Sequence, residues 1–259
     1  MTRPATKAEL SLLRSLRTVK GRRENDLFLV EGVRLCAELA ESSVRTEFTL
    51  VADSIAADAS MRPLLERFAR KGVPIFSARE DFVRRVSDTT HSQGILAAAR
   101  WRPVAPADLP RRRGVVFLAL DAVADPGNVG TVIRTAAWCA VDGVLLGEGC
   151  ADLLNPKTVR ATMGGLFHVP VCSRVGLSEE LAHLKASGFH VAAAATDGSP
   201  DWRGWRGSGS IALVLGNEAR GLSAPVRELA DRLVAVPLRG KGESLNVAMT
   251  ASILLSVLL

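Results

Sequence analysis

Three short stretches hold the residues whose types and spacing could do chemistry. In LGNEARGLS, residues 215–223, Gly216 and Gly221 free the backbone to approach a ligand closely, and Glu218 supplies a carboxylate. In VPLRGKGESLNVAMTAS, residues 236–252, Pro237 ends a strand and Gly240 and Gly242 let the chain fold back. Ser244 stands where it would cap an apolar helix beginning near Leu245. In DPGNVGTVIRTA, residues 125–136, Asn128 is a good helix cap and Arg134 is a lone cation among apolar neighbours. Such an arginine needs either an ion-pair partner inside the protein or a ligand. A carboxylate, a guanidinium and open backbone at tight turns suit the holding of a polar ligand.

The elements that must position these groups are parallel strands. Apolar runs at 211–215 and 233–236 stop abruptly at the first two loops, as parallel strands do when they deliver their C-terminal ends to one ligand site. Upstream, a buried strand at 115–120 leads through a turn into a helix at 131–139. There follow a strand at 144–146, a helix at 156–163, a strand at 168–171, a helix at 177–187 and a strand at 190–194. The loop after that strand carries Trp202 and Trp205, which either stack bases or pack on their own domain.

The first hundred residues have a different rhythm. A helix at 7–18 and a basic turn precede strands at 27–30, 48–51, 73–76 and 95–99, with helices at 32–41, 61–70 and 79–86, the pattern of a small sheet covered by helices. Residues 101–113 hold three prolines and an arginine run without periodicity and read as a linker. The expected organisation is therefore a domain at 1–100, a linker at 101–113 and an α/β domain at 114–259.

Composition narrows the function. With 259 residues, 47% of them apolar, the chain can build two real cores. It lacks the run of about eighteen apolar residues that spans a bilayer, and its N-terminus does not read as a secretory signal, so the expected compartment is the cytoplasm. Cys36, Cys139, Cys150 and Cys172 lack CxxC spacing and read as buried thiols, and His91, His168, His183 and His190 lack metal spacing. No metal is expected. Residues 1–113 hold 21 Lys and Arg against 14 Asp and Glu, and the remainder 12 against 13, so the net charge of +6 lies wholly in the N-terminal part. There Arg3, Lys7, Arg14, Arg17, Lys20, Arg22 and Arg23 crowd together, either a patch for a phosphate backbone or a solvated basic helix.

Common nucleotide sites fail on the motifs. The turn after the first strand of the second domain reads DPGNVG, one glycine short of GxGxxG and with a proline, and no Walker pattern occurs. GEGC at 147–150 resembles the short glycine loop of the common methyltransferase class but follows the second strand rather than the first.

Taken together, DPGNVGTVIRTA, LVLGNEARGLS (213–223) and VPLRGKGESLNVAMTASILL (236–255) resemble, in order and spacing, the three successive motifs of the SpoU/TrmH family of RNA ribose 2′-O-methyltransferases, in the SPOUT superfamily. The N-terminal region with FLVEG, residues 28–32, and its flanking basic residues is similar to the substrate-binding domain that many of these enzymes carry, related in shape to RNA-binding ribosomal proteins.

The resemblance implies a C-terminal parallel sheet folded through a deep trefoil knot whose loops hold S-adenosyl-L-methionine, and a homodimer paired near that knot. Carried over by motif, Gly216, Val236 and Leu245 would hold the cofactor largely through backbone groups, with Leu215, Leu238 and Thr196 nearby. Asn128, Arg134, Glu218, Ser244 and Asn246 would surround the reacting ribose. A sulfonium methyl is already activated, so transfer to a ribose 2′-hydroxyl needs in-line placement and removal of one proton. Asn128, Ser244 and Asn246 suit hydrogen bonding to ribose and phosphate oxygens. Arg134 suits a bidentate phosphate clamp better than a base, since its pKa lies above about 12. Glu218 is the alternative proton acceptor, or it anchors its loop or orients Arg134. Ribosomal RNA is the expected substrate and transfer RNA the alternative. A catalytically inactive RNA-binding or ribosome-assembly protein and a base-modifying SPOUT enzyme remain the competing readings.

Overall fold

A capping box starts the first helix: Thr6 Oγ1 accepts from the Ala8 amide at 3.2 Å, and the Thr6 amide donates to Glu9 Oε2 at 2.8 Å. In the computed structural model, which describes residues 2–200, 209–241 and 244–258, the chain divides into two units. One comprises Met1–Arg102 with Leu154–Phe167, the other Pro103–Leu153 with His168–Leu259.

The first unit opens with β1 (Arg3–Pro4), α1 (Lys7–Ser15) and α2 (Val19–Asn25). The expected basic turn after a single helix is thus a second helix. Thr18 leaves helical geometry and caps α2, its Oγ1 accepting from the Gly21 amide at 3.0 Å. A Cβ at Gly21 would lie 2.1 Å from the Ser15 carbonyl oxygen, so only glycine lets the two helices fold this tightly. There follow β2 (Leu27–Glu31), α3 (Val33–Glu41), β3 (Thr46–Ala52), α4 (Asp53–Ala57), α5 (Arg62–Arg70), β4 (Ile75–Ala78), α6 (Glu80–Val86) and β5 (Ile95–Arg100). The sheet order is β1-β4-β3-β5-β2, with β5 antiparallel to both β3 and β2. Leu13, Leu16, Leu29, Leu50 and Leu96 fill one side of it. In the basic patch, Arg22 is not on the surface: its side chain is buried and its Nη1 donates to the Leu16 carbonyl at 3.0 Å, so it braces the helix pair. Arg3, Lys7, Arg14, Arg17, Lys20 and Arg23 are exposed.

The second unit begins at Pro103. Leu109 is buried in its core, and Arg111 and Arg112 pair with Glu180 and Asp142 at 2.9 and 2.6 Å. Then come β6 (Val116–Leu120), α7 (Pro126–Trp138) and β7 (Gly143–Gly147). The chain next runs through α8 (Pro156–Ala161) and a 3-10 turn at Gly165–Phe167, the stretch that belongs to the first unit. It returns as β8 (Val171–Val175), α9 (Leu177–Ala186), β9 (Phe189–Ser199), β10 (Ser210–Leu215), α10 (Ala224–Leu229), β11 (Arg232–Val234) and α11 (Val247–Leu258). The sheet is wholly parallel, in the order β11-β9-β10-β6-β7-β8. Its central strands β10, β6 and β7 are buried along their whole length because both faces are covered. The strand expected at 168–171 forms later, as β8. Trp202 and Trp205 lie outside the described residues. Among the described residues, no helix is long and apolar enough to cross a membrane.

The excursion through α8 is held in the first unit by a cluster of charged groups around the buried Glu31. Glu31, at the end of β2, accepts from the Ser87 hydroxyl, from Thr89 Oγ1 at 2.6 Å and from the Asp88 amide at 3.0 Å. Arg160 of α8 reaches Asp88 at 2.9 Å and Glu31 at 3.9 Å. Thr158 and Thr162 are fully buried, and a Cβ at Gly164 would strike the Glu38 side chain at 2.6 Å. Cys36 and Cys172 are buried thiols, while Cys139 and Cys150 are half-buried, all four free.

Candidate active site

Asp125, not Asn128, caps α7. Its Oδ1 accepts from the Asn128 amide at 2.9 Å, and Pro126 takes the first helical position, where its missing N–H costs nothing. The helix therefore starts five residues before the expected 131, and Asn128 lies inside its first turn with its side chain free to act elsewhere. That side chain joins all three motifs. Its Nδ2 donates to Glu218 Oε1 at 2.8 Å, and its Oδ1 accepts from Asn246 Nδ2 at 2.9 Å. A second correction concerns α11, which begins at Val247 and is capped by Asn246, whose Oδ1 accepts from the Ala248 amide at 2.8 Å. Ser244 is exposed, two residues ahead of that cap.

The Glu218 loop is fastened at both ends. Asn217 forms an antiparallel bridge with Gly221, and its Oδ1 accepts from the Ala219 and Arg220 amides, each at 3.0 Å. Its Nδ2 donates to the Ala122 carbonyl at 2.7 Å, and Asp121 Oδ2 accepts from the Ser223 amide at 2.6 Å. Asp121 and Asn217 thus tie β10's loop to the end of β6. Sequence reasoning passed over both; the available signal was a polar residue within two positions of the end of each apolar strand. Gly216 has no room for a side chain, since a Cβ there would lie 2.5 Å from the Gly221 carbonyl carbon. Gly198 is equally constrained, at 2.7 Å from Val234 backbone atoms.

Arg134 projects from the middle of α7 and is exposed. Among the described residues it pairs with no carboxylate, so the internal ion pair left open by the sequence is absent there. One turn further along α7, Trp138 is 91% exposed.

The candidate cofactor residues flank these loops. Leu215 ends β10 and Gly216 follows it; Thr196 lies within β9 and is exposed; Val236 and Leu238 lie just past β11, and Leu245 just ahead of Asn246. Leu238 and Leu245 are 69% and 51% exposed, two of the few large apolar side chains left in solvent. Tight glycine-lined backbone and uncovered leucines fit a ligand with both polar edges and a flat apolar body, as an adenosyl group has. Cys150 lines a separate cavity of about 300 Å³ with Glu148, Asp152 and Arg174, at the ends of β7 and β8. Burial pushes the Cys150 thiol up to about 11, which rules it out as a nucleophile at neutral pH. Among the described residues no group of His, Cys, Asp and Glu could hold a metal ion.

Comparisons with known proteins give the family. The SpoU rRNA Methylase family model matches residues 115–256, and the MRM3-like substrate binding domain matches residues 8–97. The chain is 36% identical over 241 residues to the 23S rRNA (guanosine(2553)-2′-O)-methyltransferase RlmP of Bacillus subtilis (strain 168), covering 93% of this chain and 92% of that relative. The AdoMet-bound rRNA methyltransferase from Sinorhizobium meliloti superposes with a TM-score of 0.84 at 26% identity, covering 98% of this chain and 95% of that one. A putative RNA methyltransferase of the TrmH family from Porphyromonas gingivalis gives 0.77 at 30% identity, covering 98% of each chain. The three loops that the Asn128 side chain ties together all lie within the residues that the methylase model matches, and the chain belongs to the SpoU methylase family.

Proposed function

We propose that this protein methylates a ribose 2′-hydroxyl of ribosomal RNA, with a guanosine of 23S rRNA as the first substrate to test, since that is what the Bacillus subtilis relative is named for. The observation that carries the reading is the Glu218–Asn128–Asn246 chain, together with an arginine on the same helix as Asn128 that pairs with no carboxylate among the described residues. S-Adenosyl-L-methionine, when bound, supplies a methyl group already activated on sulfur. Gly216, Val236 and Leu245 would hold it through backbone groups, with Leu215, Leu238 and Thr196 nearby.

The chain's own residues then have positioning to do. Arg134 clamps the phosphate next to the target ribose through its planar fork and stabilises the charge that develops on the 2′-oxygen. Asn128, already fixed by Glu218 and Asn246, presents its amide at a set angle. Ser244 and Asn246 bond ribose or phosphate oxygens. Glu218 accepts the 2′-hydroxyl proton through its second oxygen, or serves only to hold Asn128. Residues 1–100 supply most of the RNA affinity through the exposed cations of α1 and α2. The knotted chain path and transfer RNA as an alternative substrate belong to the same reading.

A second copy of the chain completes the assembly. Trp138 and Met249, 91% and 58% exposed, lie on α7 and α11, which pack against each other. Apolar side chains this open on one helix pair suit coverage by a like surface.

The deciding experiment is transfer of labelled methyl from S-adenosyl-L-methionine to total ribosomal RNA, followed by alkaline hydrolysis. A 2′-O-methyl group blocks cleavage of the adjoining phosphodiester, so label should emerge in a dinucleotide. Label in a mononucleotide would mean base methylation. No binding of the cofactor in calorimetry would leave an RNA-binding protein without this activity.

A further inference from the structure

Helix α6 breaks its own pattern at one position. Val83 and Val86 turn into the core of the first unit, as an amphipathic helix requires, while Phe82 between them and Arg79 stays 38% exposed. Guanidinium carbons of Arg79 and Arg85 lie 5.9 and 5.3 Å from its ring centroid. Asp81 holds both arginines, at 3.2 Å to Arg79 Nε and 3.5 Å to Arg85 Nη2, yet their side chains remain 74% and 69% exposed. The other acid of this helix faces away: Glu80 accepts from the Ser54 amide at 3.0 Å, a bond that also lowers its pKa after that made with its own amide. Arg84 adds a third exposed cation. α6 packs beside α1, whose Lys7 and Arg14 are exposed as well.

An exposed ring flanked by pre-set planar cations needs a partner with a flat face and negative charge. An unpaired nucleotide has both. Resting on the reading that this chain acts on RNA, we propose that Phe82, Arg79 and Arg85 form a stacking platform on the first unit for one unpaired RNA base and its two flanking phosphates. The platform selects single-stranded over fully paired RNA, because bases in a duplex already stack on each other. Charge favours this occupant over an apolar protein surface, which would have to desolvate both guanidiniums.

The test uses the full-length protein and two probes: a fluorescein-labelled ten-nucleotide single strand of adenosine and uridine, and the same strand annealed to its complement. Phe82→Leu keeps the apolar volume and removes the ring, and should weaken single-strand binding about tenfold while leaving duplex binding unchanged. Phe82→Trp should bind as tightly as wild type. Arg79→Ala with Arg85→Ala should flatten the dependence of log K on log salt by about 1.4, the value for two phosphates on a single strand. Far-UV circular dichroism and urea unfolding as cooperative as wild type report that each variant is folded. Wild-type single-strand affinity in Phe82→Leu overturns the platform, as does equal loss on both probes. If wild type bound neither probe and methylated no ribosomal RNA, the RNA reading itself would fall with it.

Discussion

Asn128 and Glu218, ninety residues apart, meet through a 2.8 Å hydrogen bond from the Asn128 side-chain nitrogen to the Glu218 carboxylate. A carboxylate can only accept, so this bond fixes which way the amide faces and turns its oxygen toward Asn246. One amide therefore sets the relative position of three loops, and small changes to it should act on chemistry more than on folding.

Asn128→Asp changes shape least and charge most. It would set two carboxylates against each other, so the pair would keep a proton to higher pH than either alone. Methyl transfer should fall about tenfold or more at pH 8 and recover in part toward pH 6, where the retained proton restores the bond. A wild-type rate at pH 8 would remove Asn128 from the site.

For Arg134, lysine preserves charge but loses the fork. Arg134→Lys should lower single-turnover methyl transfer roughly a hundredfold, with cofactor affinity nearly unchanged. Activity that instead climbs with pH toward about 10.4 would identify this position as the base. Glu218→Gln keeps an oxygen for Asn128 and removes the proton acceptor, so full activity in that variant would reduce Glu218 to an anchor.

Trp138→Glu places a charge where the second copy is proposed to sit. Sedimentation velocity should show self-association weakened roughly thirtyfold or more. Identical sedimentation of variant and wild type would place the dimer contact elsewhere, or nowhere.

Glu31→Ala should destabilise the protein by about 2–3 kcal/mol in urea unfolding, because it strands the Ser87 and Thr89 hydroxyls and the Asp88 amide without their acceptor, while Arg160 keeps Asp88. The glutamate of FLVEG then acts as a structural anchor. A loss below about 1 kcal/mol would mean that water replaces it.

Sequence patterns revealed most strands, because apolar runs and their polar stops are local. They also marked the three loops that the Asn128 side chain joins. Two errors came from reading one role per residue. Pro126 and Gly127 signal a turn, yet proline also suits the first position of a helix, and Asn128 has the chemistry of the cap that Asp125 provides. Arg22 counted toward surface charge but is buried, since charge says nothing about which way a side chain points. The packing of residues 154–167 was illegible for a deeper reason: an amphipathic helix announces that one face is buried and never against what.

That stretch limits how the protein can be taken apart or recombined. The family model for the methylase covers 115–256 without a break, yet α8 inside it is built into the other unit, so the polypeptide passes between units three times. Cutting away residues 1–100 would leave Thr158, Thr162, Val159 and Arg160 without the surroundings that bury them. A donor module swapped in from a relative would need to bring its own version of residues 154–167. The folding unit is therefore discontinuous, and exchange of the N-terminal part alone should yield chimaeras that aggregate, whereas paired exchange of both pieces should yield ones that fold.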